Sequence, residues 1–99
     1  MGHDIYGHKP SDKELEHELA YLRRGAFNPL NSQIYEALDC FECSGGVSGN
    51  GSSRIFTQNE LLDGLKVLNE FEDAGSEIRF VKDCLKGLDE NGQILIYFG

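Results

Sequence analysis

The sequence predicts an α+β domain, a small and mostly antiparallel sheet of about three strands packed against two or three helices. Three observations carry that expectation. The chain opens on GHDIYGH and closes on QILIYF, short runs that combine β-branched or aromatic residues with Gly or Asn-Gly turns at their ends. Between them, Thr57 and Glu60 form a capping box, and Leu61, Leu65 and Leu68 follow at i, i+4 and i+7. Ile78, Val81, Leu85 and Leu88 then repeat a helical spacing in a second segment. A chain of 99 residues fits one domain, and it can bury roughly two thirds of the surface it exposes when unfolded.

In chain order, residues 2–8 read as a strand and Lys9-Pro10-Ser11-Asp12 as a turn. Residues 12–25 admit two readings. Ser11 and Glu14 have the form of a capping box, Leu15, Leu19 and Leu22 have helical spacing, and Gly25 suits the end of a helix. Alternatively Leu19, Tyr21 and Arg23 alternate with Ala20, Leu22 and Arg24 as a strand that pairs with residues 2–8. Propensity favours the helix and topology the hairpin, because a first strand needs a neighbour; topology tips the expectation to a strand at about 17–24. Asn28-Pro29 marks a boundary. A helix follows at about 29–40, with Leu30, Ile34, Tyr35 and Leu38 on its apolar face and Pro29 in its first turn.

Residues 44–53, SGGVSGNGSS, hold four Gly and four Ser and read as a loop, extended to 54 by Arg54. The capped helix is expected at 58–72, its stripe widened by Leu62 and Phe71, and Leu65→Ala there is expected to cost roughly 2–5 kcal/mol. A further helix is expected at about 76–88, with Cys84 beside its apolar face. Asp89-Glu90-Asn91-Gly92 is a turn. The closing run, apolar from Ile94 to Phe98, reads as a strand that is covered on both faces or central.

Charge and cysteine content narrow the function classes. The formal charge is -8, from 17 acidic and 9 basic residues. Phosphate backbones and anionic membranes need Lys and Arg to displace counterions, so neither nucleic acid nor a membrane surface is an expected partner. No run approaches the roughly 20 apolar residues of a membrane span. The N-terminus lacks the apolar core of a signal peptide, and Tyr6 stands where a myristoylation site needs Ser or Thr. Three cysteines without a secretion signal point to reduced thiols in a cytoplasm.

Each motif with chemical content has a plainer reading beside it. Cys40-Phe41-Glu42-Cys43 is a C-x-x-C, but a zinc site needs two more ligands and no second close pair exists. A redox dithiol favours a helix N-terminus, whereas this pair follows a helix and holds Glu42 between its thiols. Structural thiols at the core edge are expected. His3, Asp4 and His8 could orient an imidazole or hold a metal, yet a strand scatters them over two faces. The 44–54 loop invites a phosphate reading, but Ser52 stands where the P-loop needs Lys. The dinucleotide pattern fails too, since Gly49 and Gly51 are followed by Arg54. Ser48, Asn50 and Arg54 would be donors if this loop contacts a ligand or partner. Arg23-Arg24, behind Glu14, Glu16 and Glu18, is expected to pair within the chain.

The opening MGHDIYG, the segment AYLRRGAFNPLNSQIYEAL and the stretch GNGSSRIFTQNELLDGL resemble small bacterial and phage proteins that open MG-x-D-x-YG. The likeness covers residues 1–65 in outline and lacks the Trp cluster typical of that group. It implies a fold that begins with two strands, in line with a strand at 17–24. It carries over no activity.

The expected binding residues are His3, Asp4, Arg23, Ser48, Asn50 and Arg54, with no cofactor and no metal. Three readings of function stay open. The first is a non-enzymatic protein-binding or regulatory module, in its sharpest form directed at a basic target. The second is a metal-assisted, hydrolase-like enzyme using His3, Asp4 and His8 under a Gly-rich lid. The third is a structural homodimer joined through an open sheet edge, the alternative to a monomer.

Overall fold

Strands β1 (Gly2–His8), β2 (Ala20–Gly25), β3 (Ser52–Thr57) and β4 (Gln93–Phe98) pair antiparallel throughout, in the order β2-β1-β4-β3. The computed structural model describes residues 2–12, 14–25, 32–43 and 49–99, with the backbone alone described at 2, 3, 24, 25 and 32. Among the described residues, helices α1 (Ser32–Ala37), α2 (Gln58–Leu68) and α3 (Gly75–Lys86) cover one face of the sheet, and a 3-10 turn at Phe41–Cys43 follows α1. The expected α+β class is therefore realised with four strands. No helix among the described residues is long and apolar enough to cross a membrane.

The alternation of each strand decides which face meets the helices. Ile5 and Gly7 of β1, Ala20 and Leu22 of β2, Phe56 of β3, and Ile94, Ile96 and Phe98 of β4 are buried beneath them. From the helices, Ile34, Tyr35, Leu38, Leu61, Leu68, Phe80, Val81 and Cys84 complete this core. Gly7 is required by close approach: a Cβ there would lie 3.1 Å from Cys84 Sγ, 3.2 Å from Ala20 Cβ and 3.3 Å from Ile94 Cδ1. Its absence lets α3 settle onto the sheet.

Residues 14–19 form neither the expected helix nor an early strand. Asp12, rather than Ser11, collects the free amides: Oδ1 accepts from Glu16 N–H at 3.1 Å and Oδ2 from His17 N–H at 2.8 Å. Leu15 stands at φ 55°, a left-handed conformation that no helix continues through. The strand begins at Ala20, so β2 pairs with β1 as the hairpin reading requires, over a shorter span than 17–24.

The expected helix at 29–40 is described from Ser32 and ends at Ala37; residues 29–31, including Leu30, lie outside the described residues. Asp39, at φ 52°, turns the chain out of α1. In α2 the capping box forms, with Thr57 Oγ1 accepting from Glu60 N–H at 3.3 Å and Glu60 Oε1 from Thr57 N–H at 2.9 Å. The helix stops at Leu68 rather than 72. Its buried stripe is Leu61, Gly64 and Leu68, while Leu65 is half-buried and Leu62 is 41% exposed. The expected Leu stripe is thus rotated toward Gly64. Strand β3 was hidden by its composition. Ser52 and Ser53 belong to an edge strand that runs directly into the N-cap Thr57.

Candidate functional site

The face of the sheet opposite the helices carries a row of aromatic side chains. Tyr21, Tyr6 and Tyr97 are direct cross-strand partners, and Tyr97 is in register with Ser53, so the row crosses all four strands. The Tyr6 and Tyr21 rings are stacked with centroids 5.1 Å apart, and the Tyr97 centroid lies 6.3 Å from that of Tyr6. A parallel row places His8, Leu95 and Ile55 in register. Tyr21 is 43% exposed and Ile55 46%, so both ends of this surface meet solvent. Below the tyrosine row, Asp4 faces Arg23 across β1 and β2. Tyr21 Oη donates to Asp4 Oδ1 at 2.6 Å, and Arg23 Nε lies 3.8 Å from the same oxygen. The bond to Asp4 pushes the Tyr21 phenol above its ordinary value, because ionising the phenol would remove the donated proton and set two negative charges together.

At the other end of β1, His8 is buried although it lies on the open face, because Asp12 and His17 close on its ring. His8 Nδ1 sits 3.2 Å from Asp12 Oδ2 and 3.1 Å from the His17 carbonyl oxygen. Both neighbours accept, so Nδ1 carries the proton. The amides of His17 and Glu16 and the His8 ring all favour the Asp12 carboxylate, against partial desolvation, and hold its pKa below the usual range. This knot fixes a segment that presents Glu14, Glu16 and Glu18, all exposed, beside the aromatic surface. Lys9, Ser11, Asp12, His17 and Leu19 line a depression of about 460 Å³ along it.

Asn50 and Arg54 lie on the side of the sheet away from the Asp4 pair. Arg54 is in register with Ile96, on the helix-covered face, and its guanidinium carbon lies 5.4 Å from the Phe56 ring centroid. Arg54 Nη1 donates to Glu42 Oε1 at 2.6 Å and to the Asp39 carbonyl at 3.3 Å. Asn50 Nδ2 donates to the Glu42 carbonyl at 2.6 Å, and Asn50 N–H to the Cys43 carbonyl at 2.9 Å. These bonds tie β3 to the turn that carries Cys40 and Cys43. The two thiols and Cys84 are free and buried. Burial, with Cys43 beside it, pushes the Cys40 thiol up to about 12, and burial raises Cys84 further.

No protein-family model matches the chain, and neither does any curated protein or solved structure.

Of the six expected binding residues, Asp4 and Arg23 meet on the open face, while Asn50 and Arg54 meet on the β3 side. Ser48 and the side chain of His3 lie outside the described residues. No group of three His, Cys, Asp or Glu among the described residues could hold a metal ion. Tyr6, Tyr21, Tyr97 and Ile55 are not among the expected binding residues. Each occupies an alternate strand position, but their union into one surface depends on register, which composition does not reveal. The surface they form offers stacked phenols, apolar flanks and nearby carboxylates. Chemically, that set offers stacking faces, phenol hydroxyls and apolar contact area, with no metal cluster among its described residues.

Proposed function

We propose that the protein is a non-enzymatic protein-binding module that docks a basic partner on the open face of its sheet. The observation that carries this reading is the Tyr21–Tyr6–Tyr97 row. Aromatic side chains supply large contact area at low cost in rotamer entropy, and their faces attract Lys and Arg. Glu14, Glu16 and Glu18 beside the row, within a chain of net charge -8, set the sign of the partner. Tyrosines on an open sheet also stack on single-stranded nucleic acid, but such sites add a basic groove along the phosphate path, and the rows flanking this one hold a mutually paired Asp4 and Arg23 on one side and His8, Leu95 and Ile55 on the other.

The test is an NMR titration of the labelled protein with an Arg/Lys-rich decapeptide. Expected are shifts at Tyr6, Tyr21, Tyr97, Ser53 and Ile55, weakened at least tenfold by Tyr21→Ala combined with Ile55→Asp, and weakened by added salt. Shifts confined to the helical side, or none at millimolar peptide, would sink the proposal.

A further inference from the structure

A second surface has the opposite charge. On α3, Arg79, Lys82 and Lys86 follow at i, i+3 and i+7, so they form one stripe on the side of the helix opposite Phe80, Val81 and Cys84. All three are exposed, and none forms an ion pair with a described residue. Two clefts adjoin the stripe and share Gly75 and Arg79. One, of about 450 Å³, lies between β2 and the start of α3 and is lined by Tyr21, Leu22, Arg23, Ser76 and Arg79. The other, of about 370 Å³, runs along α3 past Ile78, Lys82 and Lys86, with Asp83 as its one acid. Arg23, Arg79, Lys82 and Lys86 are thus four of the chain's nine basic residues, gathered on one flank of a molecule with net charge -8.

We infer that this flank is a docking groove for an extended acidic peptide segment of a partner protein, a site that adjoins the aromatic face at Tyr21. Charge complementarity selects the ligand's sign, and the length of the stripe selects its class. Seven residues of helix rise about 10 Å. Carboxylates two residues apart on an extended peptide are about 7 Å apart, so a short segment spans the groove with two or three acids. A nucleic acid duplex, with one charge per roughly 1.7 Å, would set about six phosphates along the same length, more than these four cations match. The strand beside the groove also fits: β2 ends the sheet, with no strand beyond it among the described residues. An extended segment could add its main chain to that edge while its acids reach Arg23 and Arg79.

The test is fluorescence anisotropy with a labelled decapeptide that alternates Glu and Val, at low salt. Expected is binding that falls at least tenfold in the Arg79→Glu/Lys82→Glu double variant and several-fold in Arg23→Gln. Ile55→Ala, at the far end of the aromatic face, should leave it within about twofold, which separates this site from that face. Lys66→Glu, an exposed charge reversal on α2, controls for net charge, and circular dichroism checks folding of every variant. Equal losses in Lys66→Glu and in the double variant would overturn the inference. So would tighter, stripe-dependent binding of a single-stranded oligonucleotide or of 1:1 phosphatidylserine/phosphatidylcholine vesicles. Stripe-dependent self-association in sedimentation, undisturbed by the peptide, would assign the groove to a second copy and overturn it as well.

Discussion

Tyr21 Oη donates its proton to Asp4 Oδ1 diagonally across the β1–β2 pair, at 2.6 Å, while its ring stacks on Tyr6. The bond exists only while the phenol is protonated, so it raises the Tyr21 pKa. A raised folded-state value means that the bond stabilises the fold at all pH values below the ordinary phenol range and is lost as pH climbs through the folded value. Labelled-tyrosine NMR should find Tyr21 titrating later in the native protein than in Asp4→Ala. Coincident midpoints in the two proteins would mean that the bond does not persist in solution.

Asp12 runs the opposite way. Its folded pKa is lowered, chiefly by the His17 amide, so its contribution is complete above the free-Asp value of about 3.9 and disappears as pH falls through the lower folded value. The melting temperature of the native protein should exceed that of Asp12→Asn at pH 6, and the gap should close between pH 4 and 2. A gap that stays constant over that range would show that the ionised carboxylate does not hold the 14–19 segment.

That segment also marks the limit of what the sequence makes legible. Helices α2 and α3, strands β1 and β4, and the Thr57–Glu60 box all follow from local spacing, because each satisfies its own backbone or buries its own face. Residues 12–25 do not: their Leu spacing is helical, yet β1 needs a partner, and Asp12 diverts the amides that a helix would use. The closing run QILIYF is apolar on both faces because β4 is a central strand whose Leu95 and Tyr97 belong to the open surface. β3 is not legible from composition because an edge strand tolerates Ser52, Ser53 and Arg54. Asp4 and Arg23 were legible as chemistry-bearing residues, whereas the tyrosine row and the α3 stripe arise from register and packing between distant segments.

The thiols make a further prediction. With Cys40 pushed to about 12 by burial, roughly one molecule in ten thousand carries its thiolate at pH 8. Cys84 is raised for the same reason, and all three cysteines are buried. Iodoacetamide at pH 8 should therefore label the native protein at the rate of unfolding, and label all three sites promptly in denaturant. Fast labelling of Cys40 in the native state would reveal an accessible, activated thiol and reopen a redox role for the pair.

Gly64 sets a local preference against a packing requirement. In the interior of a helix, Ala is favoured over Gly by about 1 kcal/mol. A Cβ at position 64, however, would lie 3.2 Å from the Ala37 carbonyl oxygen and 3.2 Å from Leu38 Cδ2. The Leu38 methyl can rotate away, but the carbonyl belongs to the end of α1 and moves only if that helix moves. Overpacking of this kind costs about 1–3 kcal/mol, which outweighs the propensity gain. Gly64→Ala should therefore lower the unfolding free energy, by up to about 2 kcal/mol in urea melts with an unchanged m-value. A more stable variant would mean that α1 and α2 are not held in close approach at this point.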